Sequence, residues 1–388
     1  MAGVKIVVQV KLLPTAAQAV ALAATLRTVN TEANRVSAVV FERKVTGRQA
    51  LQRLVYQDLK GRGLSAQPAL HVIRKVADAY TTLRGNIRAG NLGPEDAPRR
   101  VKAGSTPIRF RPDAAQPFDD RCLSWQHDTR TVSIRTTTGR LKGLRFTGSA
   151  DHVATLVGHR QGETDLVHRD GMWFLVATCE IPEPEVVEPV GWLGVDLGIV
   201  NIATTSDGHR AAGRRLNRHR RRLAALRRKL QAKGTKSARR TLKRIRRREA
   251  RFATDTNHVL STRHVTLAQR TCRGIGLEDL AGIRDRARLR KPQRVALHSW
   301  AFAQYGAFVS YKAARVGVPV VFVDPRDTSR TCSKCHHVDK RNRTSQAVFE
   351  CRQCGYRAHA DDNASHNIGH RAEDVWNAGR QSSVPTAA

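Results

Sequence analysis

"GWLGVDLGIV", residues 191–200, is an apolar run with a carboxylate in its middle. Its length and its Val, Leu and Ile content read as a buried strand. Asp196 interrupts it, and a buried carboxylate is costly unless something pairs with it. Two further acids stand in comparable places. Glu278 ends a second buried strand in "GIGLEDL" (274–280), and Asp361 stands at the entry to a helix in "ADDNASHNI" (360–368). Singly, a strand-end acid or a helix N-cap is ordinary structural chemistry. Together, three acids at two strand ends and a helix start can converge on one edge of a sheet. Oxygen ligands of this kind suit hard cations such as Mg²⁺. Two such ions about 3.5–4 Å apart activate water and stabilise the leaving oxygen of a phosphodiester.

The segments around these acids alternate in type. A strand-hairpin-strand (193–208) comes first, then a long basic helical region and the strand before Glu278. A helix (295–317), the strand "VPVVFVD" (318–324), a cysteine-rich insert and a helix from about Asn363 follow. Strands mixed with helices in this order indicate an α/β domain. The insert holds Cys332, Cys335, Cys351 and Cys354 as CxxC, fifteen residues, CxxC. Each pair puts two thiolates on one tight turn, and two such turns complete a tetrahedron around one Zn²⁺. Four thiolates leave no open position, so this zinc is structural. Cys122, Cys179 and Cys272 read as strand residues used for packing. Lys334, Lys340, Arg341, Arg343 and Arg352 surround the insert, either as phosphate contacts or as a solvated face.

The left half has a different texture. Residues 4–12 read as one strand, and Thr15 is a candidate N-cap for a long helix. Two more helices follow, then a Gly- and Pro-rich loop (85–107) and short alternating runs from 108 to 181, with "HRDG" as a hairpin turn. This pattern indicates a β-barrel or sandwich joined by the first strand across a helical insertion. "PEPEVVEPV" (182–190), acidic and Pro-rich, is the best linker in the chain.

Charge narrows the partner. There are 68 Lys plus Arg against 33 Asp plus Glu, a net charge of +35, which attracts polyanions. Residues 214–251 alone hold nineteen Lys or Arg and one acid, Glu249, with Leu216, Leu223, Leu226, Leu230, Leu242 and Ile245 at helical spacing. They read as a helical hairpin, broken at "AKGTK", with one face on the core and the other on phosphates. Candidate contacts are Arg220, Arg221, Arg227, Arg228, Lys243 and Arg247, with Arg288 and Arg290 in a second basic loop (282–294) that is either a lid over the cleft or a plain surface loop. Such binding weakens with salt and reads no sequence. No apolar stretch approaches the ~20 residues of a membrane span. The opening "VKIVVQVKLL" is a poor signal peptide, so a reducing cytoplasm, at the nucleoid, is the expected compartment.

"GVDLGIVNIATTSDG", "GIGLEDL", "TSRTCSKC…CRQCG" and "DDNASHNI" occur here in the order seen in the TnpB proteins of bacterial transposons, relatives of the type V CRISPR effectors, and the chain resembles them across its right half. The resemblance implies a multidomain protein. A wedge-like β-barrel (1–13 and 106–182) would carry a helical recognition domain (14–105). A linker (183–190) would lead to an RNase H/RuvC-like nuclease domain (191–327 and 356–372) with a zinc-ribbon insertion (328–355), ahead of a disordered tail (373–388). By position, Asp196, Glu278 and Asp361 match the family's three acids, with Asp362 ranked behind Asp361 because Asn363 sets the offset. The implied cofactors are two Mg²⁺, one structural Zn²⁺ and a guide RNA from the transposon end. The implied partner is target DNA beside a short adjacent motif, with no membrane; monomer and dimer are both open. The family usually has Gly after the first CxxC, where this chain has His336. Three other readings stay open: a nuclease-inactive RNA-guided repressor, a transposase that joins DNA ends, and a miniature type V effector.

Overall fold

The structure, a computed structural model, describes residues 3–182, 184–280 and 302–383. The chain divides into two compact units, Lys5–Ile181 and the part from Pro182 onward.

In the first unit Thr15 caps helix α1 (Ala16–Arg43) with a full capping box: its side chain accepts from the Gln18 amide, and the Gln18 side chain accepts from the Thr15 amide. Helices α2 (Arg48–Gly61) and α3 (Ala66–Arg88) pack on α1 around Val36, Val40, Leu51, Leu59, Ile73 and Val76. On α3, Ile73, Val76, Ala77 and Tyr80 recur at helical spacing and are buried, whereas Leu70 and Leu83 are half-exposed. The segment read as a loop contains a short helix, α4 (Pro98–Ser105), started by Pro98.

Seven strands follow one another around a second core. They are β1 (Gly3–Leu12), β2 (Gln116–Phe118), β3 (Leu123–Gln126), β4 (Thr131–Thr136), β5 (Gly139–Thr147), β6 (Arg160–Arg169) and β7 (Met172–Pro182), in the order β2-β6-β7-β1-β5-β4-β3. The two edge strands, β2 and β3, are consecutive in the chain and separated by four residues, so the sheet is nearly closed. Asp170 and Gly171, both at positive φ, make the two-residue turn between β6 and β7. Helix α5 (Ala150–His159), capped by Ser149, interrupts a stretch read as strand throughout. Cys179 is buried in β7 and Cys122 in the β2–β3 turn.

The second unit is built on a five-stranded sheet. Its strands are β8 (Trp192–Asp196), β9 (Asn201–Thr205), β10 (Arg210–Ala212), β11 (Gly274–Glu278) and β12 (Val320–Val323), in the order β10-β9-β8-β11-β12. β8, β11 and β12 run parallel, while β9 and β10 form antiparallel pairings at one side. Leu193 and Val195 of β8, with Ile275 and Leu277 of β11, face a core shared with helices α8 (Arg248–Arg270) and α9 (Phe302–Ala314). The other face carries helix α10 (Ala360–Ser383) on Trp192, Val321 and Val323 through Ile368 and Ala372.

The basic region forms α6 (Arg214–Lys233) and α7 (Lys236–Ile245), split by Gly234 at positive φ, and then α8. Leu216, Leu223 and Ile245 are buried, but Leu226 is 37% exposed and belongs to no apolar face. Cys272 is an exposed turn residue at positive φ after α8, not a strand residue. The linker is tied down: the Val187 amide donates to the Gly317 carbonyl at 2.8 Å and the Val190 amide to the Cys272 carbonyl at 2.9 Å. Helix α10 also corrects the expected disordered tail. It continues to Ser383, and Trp376 packs at a tilt against Trp192, with ring centroids 5.7 Å apart, which ties the second half of the helix to β8. Residues 384–388 lie outside the described residues.

Candidate functional site

Strand parity builds the site. Side chains alternate across a strand, so with Leu193 and Val195 facing one core, Gly194 and Asp196 face the α10 side. The same parity on β11 puts Gly276 and Glu278 on that side. Leu277 pairs with Val195 in the parallel register, so Glu278 stands next to Asp196 on the adjoining strand. The two glycines let α10 lie directly on the sheet. A Cβ at Gly194 would stand 1.8 Å from the Ser365 carbonyl oxygen, and one at Gly276 would stand 2.8 Å from the Ala372 Cβ. Close seating brings the first turn of α10, with Asp361, to the ends of the two strands.

Two of the acids are each held by a neighbour. The Thr328 hydroxyl donates to Glu278 at 2.5 Å, and Asn201 Nδ2 donates to Asp361 at 2.9 Å. Arg343, from the cysteine insert, lies 3.8 Å from Asp361. Asp362 turns away to an ion pair with Arg210. Of the two neighbouring aspartates, Asp361 is thus the one directed at Asp196 and Glu278. Burial drives the Asp196 carboxyl well above the usual range, and repulsion from Glu278 and Asp361 adds to it, while Arg343 opposes. Burial also raises Glu278, against the Thr328 hydrogen bond and the positive charges of Arg371 and Arg343. The three acids are not gathered to a point. Among the described residues, only the four cysteines bring three or more metal-ligating atoms all within 4.8 Å of one another. Glu278 and Asp361 are each tied to a separate partner, and both repel Asp196.

A carboxyl group whose cost of ionisation is raised by two neighbouring acids fits divalent cations: added positive charge would relieve the repulsion at Asp196, and the donors are all oxygen.

The four thiols are closer. Cys332 and Cys354 Sγ are 3.7 Å apart, and Cys335 and Cys351 Sγ are 3.5 Å apart. A tetrahedron with 2.3 Å metal–sulfur bonds has edges of about 3.8 Å, so the set matches Zn²⁺. The Lys334 and Cys354 amides each point at a ligating sulfur, at 3.5 Å. The two turns share one geometry: the His336 amide donates to the Cys332 carbonyl, and the Gly355 amide to the Cys351 carbonyl. Both residues have positive φ, 58° and 70°. His336 therefore occupies a left-handed position that glycine takes without strain.

The base of this ribbon is clamped to α10. Asn363 Oδ1 accepts from the Ser333 amide and its Nδ2 donates to the Thr331 carbonyl; Asn367 Nδ2 donates to the Thr328 and Thr331 carbonyls. The sequence reading used Asn363 only as an offset marker and did not assign roles to Asn201, Thr328 or Asn367. Arg343 entered it only as a phosphate contact or part of a solvated face. Buried polar residues one or two turns beyond an acid were the available signal.

The expected phosphate contacts separate into two groups. Arg227 pairs with Glu249 at 3.0 Å, and Arg220 lies 3.5 Å from the same carboxylate with its side chain only 12% exposed. These two join α6 to α8 rather than face solvent, because Glu249 is the sole acid in the region. Arg221, Arg228, Lys243 and Arg247 are exposed. Arg288 and Arg290 lie outside the described residues.

Comparisons with known proteins fall on these same elements. Residues 176–282 match the family model described as "Probable transposase", and residues 302–368 match "Cas12f1-like, TNB domain". The chain is 32% identical over 225 residues to a CRISPR-associated endodeoxyribonuclease Cas12f1 of Sulfoacidibacillus thermotolerans, covering 53% of this chain and 52% of that protein. It is 26% identical to the putative RNA-guided DNA endonuclease InsQ of Escherichia coli, covering 51% of this chain and 53% of that protein. It is 30% identical to the TnpB-like protein MJ0751 of Methanocaldococcus jannaschii, covering 33% and 46%. The chain thus spans about half the length of the relatives it matches. Among solved structures, a Cas12f1–sgRNA–target DNA complex aligns with a TM-score of 0.56 at 14% identity, covering 90% of this chain and 82% of that one, a likeness of fold. The resemblance read from the acid and cysteine motifs is borne out on the residues that carry them: over those segments the chain is similar to TnpB-like proteins and to Cas12f nucleases.

Proposed function

We propose that the chain is an RNA-guided DNA endonuclease of a transposable element, with the second unit as its RuvC-like nuclease domain. The observation that carries the reading is the set Asp196, Glu278 and Asp361, brought by three separate elements to one face of the sheet, where Asp196 is repelled by the other two. Two Mg²⁺ held by these acids would supply an activated water and stabilisation of the departing oxygen of a phosphodiester. The residues themselves do the positioning. Thr328 fixes the Glu278 carboxylate, Asn201 fixes Asp361, and Arg343 adds positive charge beside Asp361 where a phosphate would approach. The exposed Arg221, Arg228, Lys243 and Arg247 offer a sequence-independent backbone contact, which suits a protein whose sequence reading is delegated to a guide. The zinc ribbon (328–355) is the proposed handler of target strand, held by Cys332, Cys335, Cys351 and Cys354.

The test is cleavage of a matched plasmid by the purified RNA complex with Mg²⁺. Linear product is expected, with none from Asp196→Ala although that variant still binds RNA. Undiminished cutting by Asp196→Ala would remove the acid from the mechanism, and a stable uncut complex formed by the unaltered chain would favour a repressor. Sequencing the bound RNA separates a transposon-end guide from a CRISPR guide.

A further inference from the structure

A cavity of about 340 Å³ lies beside α8 and the β9–β10 hairpin, lined by Thr205, His209, Arg263, His264 and Arg270 among others. Among the described residues, none of its lining side chains is acidic. Arg263 and Arg270 are seven residues apart on α8, so two turns place them on one face, and both are exposed. His264 is 1% exposed, and its Nε2 has no hydrogen-bond partner. The Thr205 hydroxyl and His209 Nδ1 are likewise buried and unpartnered. Three such polar atoms border one cavity, and each is a group that a bound ligand could satisfy.

The tautomer of His264 follows from its other nitrogen. Nδ1 meets the hydroxyl of Tyr305, which is fully buried. If Nδ1 carried the proton, the Tyr305 O–H would itself be left without an acceptor. The tyrosine therefore donates to Nδ1, and the proton of the neutral imidazole sits on Nε2, at the ring's far edge from Tyr305. The cavity thus gathers an imidazole N–H, a hydroxyl and two guanidinium groups, a set of donors that calls for an oxyanion.

We propose that this cavity is a phosphate-binding site, separate from the acid trio, that takes one phosphate group between Arg263, Arg270 and His264. The same chemistry arises from a backbone phosphodiester or from a free phosphate or nucleotide monoester, and the test separates them. The full chain carrying Asp196→Ala, labelled with ¹⁵N-histidine, is titrated with inorganic phosphate and, separately, with a thymidine dinucleoside monophosphate, against chloride at equal ionic strength. Saturable movement of the His264 Nε2 resonance is expected. Arg263→Gln and Arg270→Gln should each weaken it by roughly tenfold or more. A response to both ligands assigns a backbone phosphodiester; a response to inorganic phosphate alone assigns a free phosphate or monoester. The His209 ring is a second reporter that needs no further variant. No saturable shift with either ligand, or an unchanged affinity in the paired arginine variant, overturns the proposal. The measurement does not depend on DNA cleavage, so it stands or falls apart from the nuclease reading.

Discussion

Gly194→Ala is the sharpest perturbation of the acid site that touches no acid. The added Cβ would stand 1.8 Å from the Ser365 carbonyl oxygen, 2.6 Å from the Gly369 amide nitrogen and 3.0 Å from the Ser365 carbonyl carbon. All three atoms are backbone, so no rotamer change relieves the clash. Real Cβ contacts do not occur below 3.0 Å, so α10 must retreat from β8 by roughly 1.2 Å at least. Overpacking of a core costs about 1–3 kcal/mol where side chains can adjust. Here a helix must move, and a loss of about 3 kcal/mol or more is expected in chemical denaturation. The retreat also carries Asp361 away from Asp196 and Glu278, and a displacement of about 1 Å at a reacting centre can cost ~100-fold in rate. The assay is plasmid cleavage by the guide complex at a temperature where the variant remains folded, beside Gly191→Ala, whose Cβ would meet nothing within 4 Å. Cleavage and stability equal to the Gly191→Ala control would refute the claim that seating of α10 sets the acid geometry.

Zinc analysis of the purified chain should give close to one metal per chain, and stripping it should unfold residues 328–355 with a loss of target-strand handling; a metal-free chain of full activity would end the ribbon reading. His336→Gly relieves a left-handed histidine and should stabilise the ribbon by roughly 0.5–1 kcal/mol, read as slower zinc loss to a chelator. Stability should also fall in mild acid. Burial lowers the His264 pKa to about 4 from an ordinary 6.5, so below pH 6.5 the unfolded chain takes up a proton that the folded chain refuses. The loss develops between pH 6.5 and 4, reaches about 3 kcal/mol, and is absent above pH 7. Melts across that range, with His264→Gln flattening the slope, would check it.

The sequence carried the acids well because parity and chain position suffice to place them. Asp196 and Glu278 close apolar runs, and a period of two then fixes which face they share with their neighbours. The four thiols were equally legible, since ligand spacing is local. What was hidden depends on partners distant in sequence. Gly194 and Gly276 look like ordinary strand glycines until Ser365 and Ala372 are set against them. Arg220 and Arg227 look like any other basic side chains, and only the fold brings Glu249 to them. Helices α4 and α5 were missed because each is only two or three turns long, too short for a period of 3.6 to stand out from alternation. The tail was misread because composition near the end of the chain is polar, while the contact that orders it, Trp376 with Trp192, spans most of the second unit's sequence.

The insertion of a zinc site between the second and third acids has a physical logic. Thr328, at the start of the insert, holds Glu278, and Arg343, within it, pairs with Asp361. The start of the insert is fastened to α10 by Asn363 and Asn367, two and six residues beyond Asp361. An insert of this length has too small an apolar core to order itself: Phe349 is its buried hydrophobic residue besides the thiols, packed with Ala360 at the start of α10. A metal held by the four thiols would supply the missing folding energy, on the order of 10 kcal/mol in small peptides. Once ordered, the ribbon presents Arg343 and Thr328 at fixed positions to two of the three acids. The thiolates therefore act on the acid site through backbone and hydrogen bonds, not through proximity. That is how a site with no open coordination position would bear on the chemistry proposed for Asp196, Glu278 and Asp361.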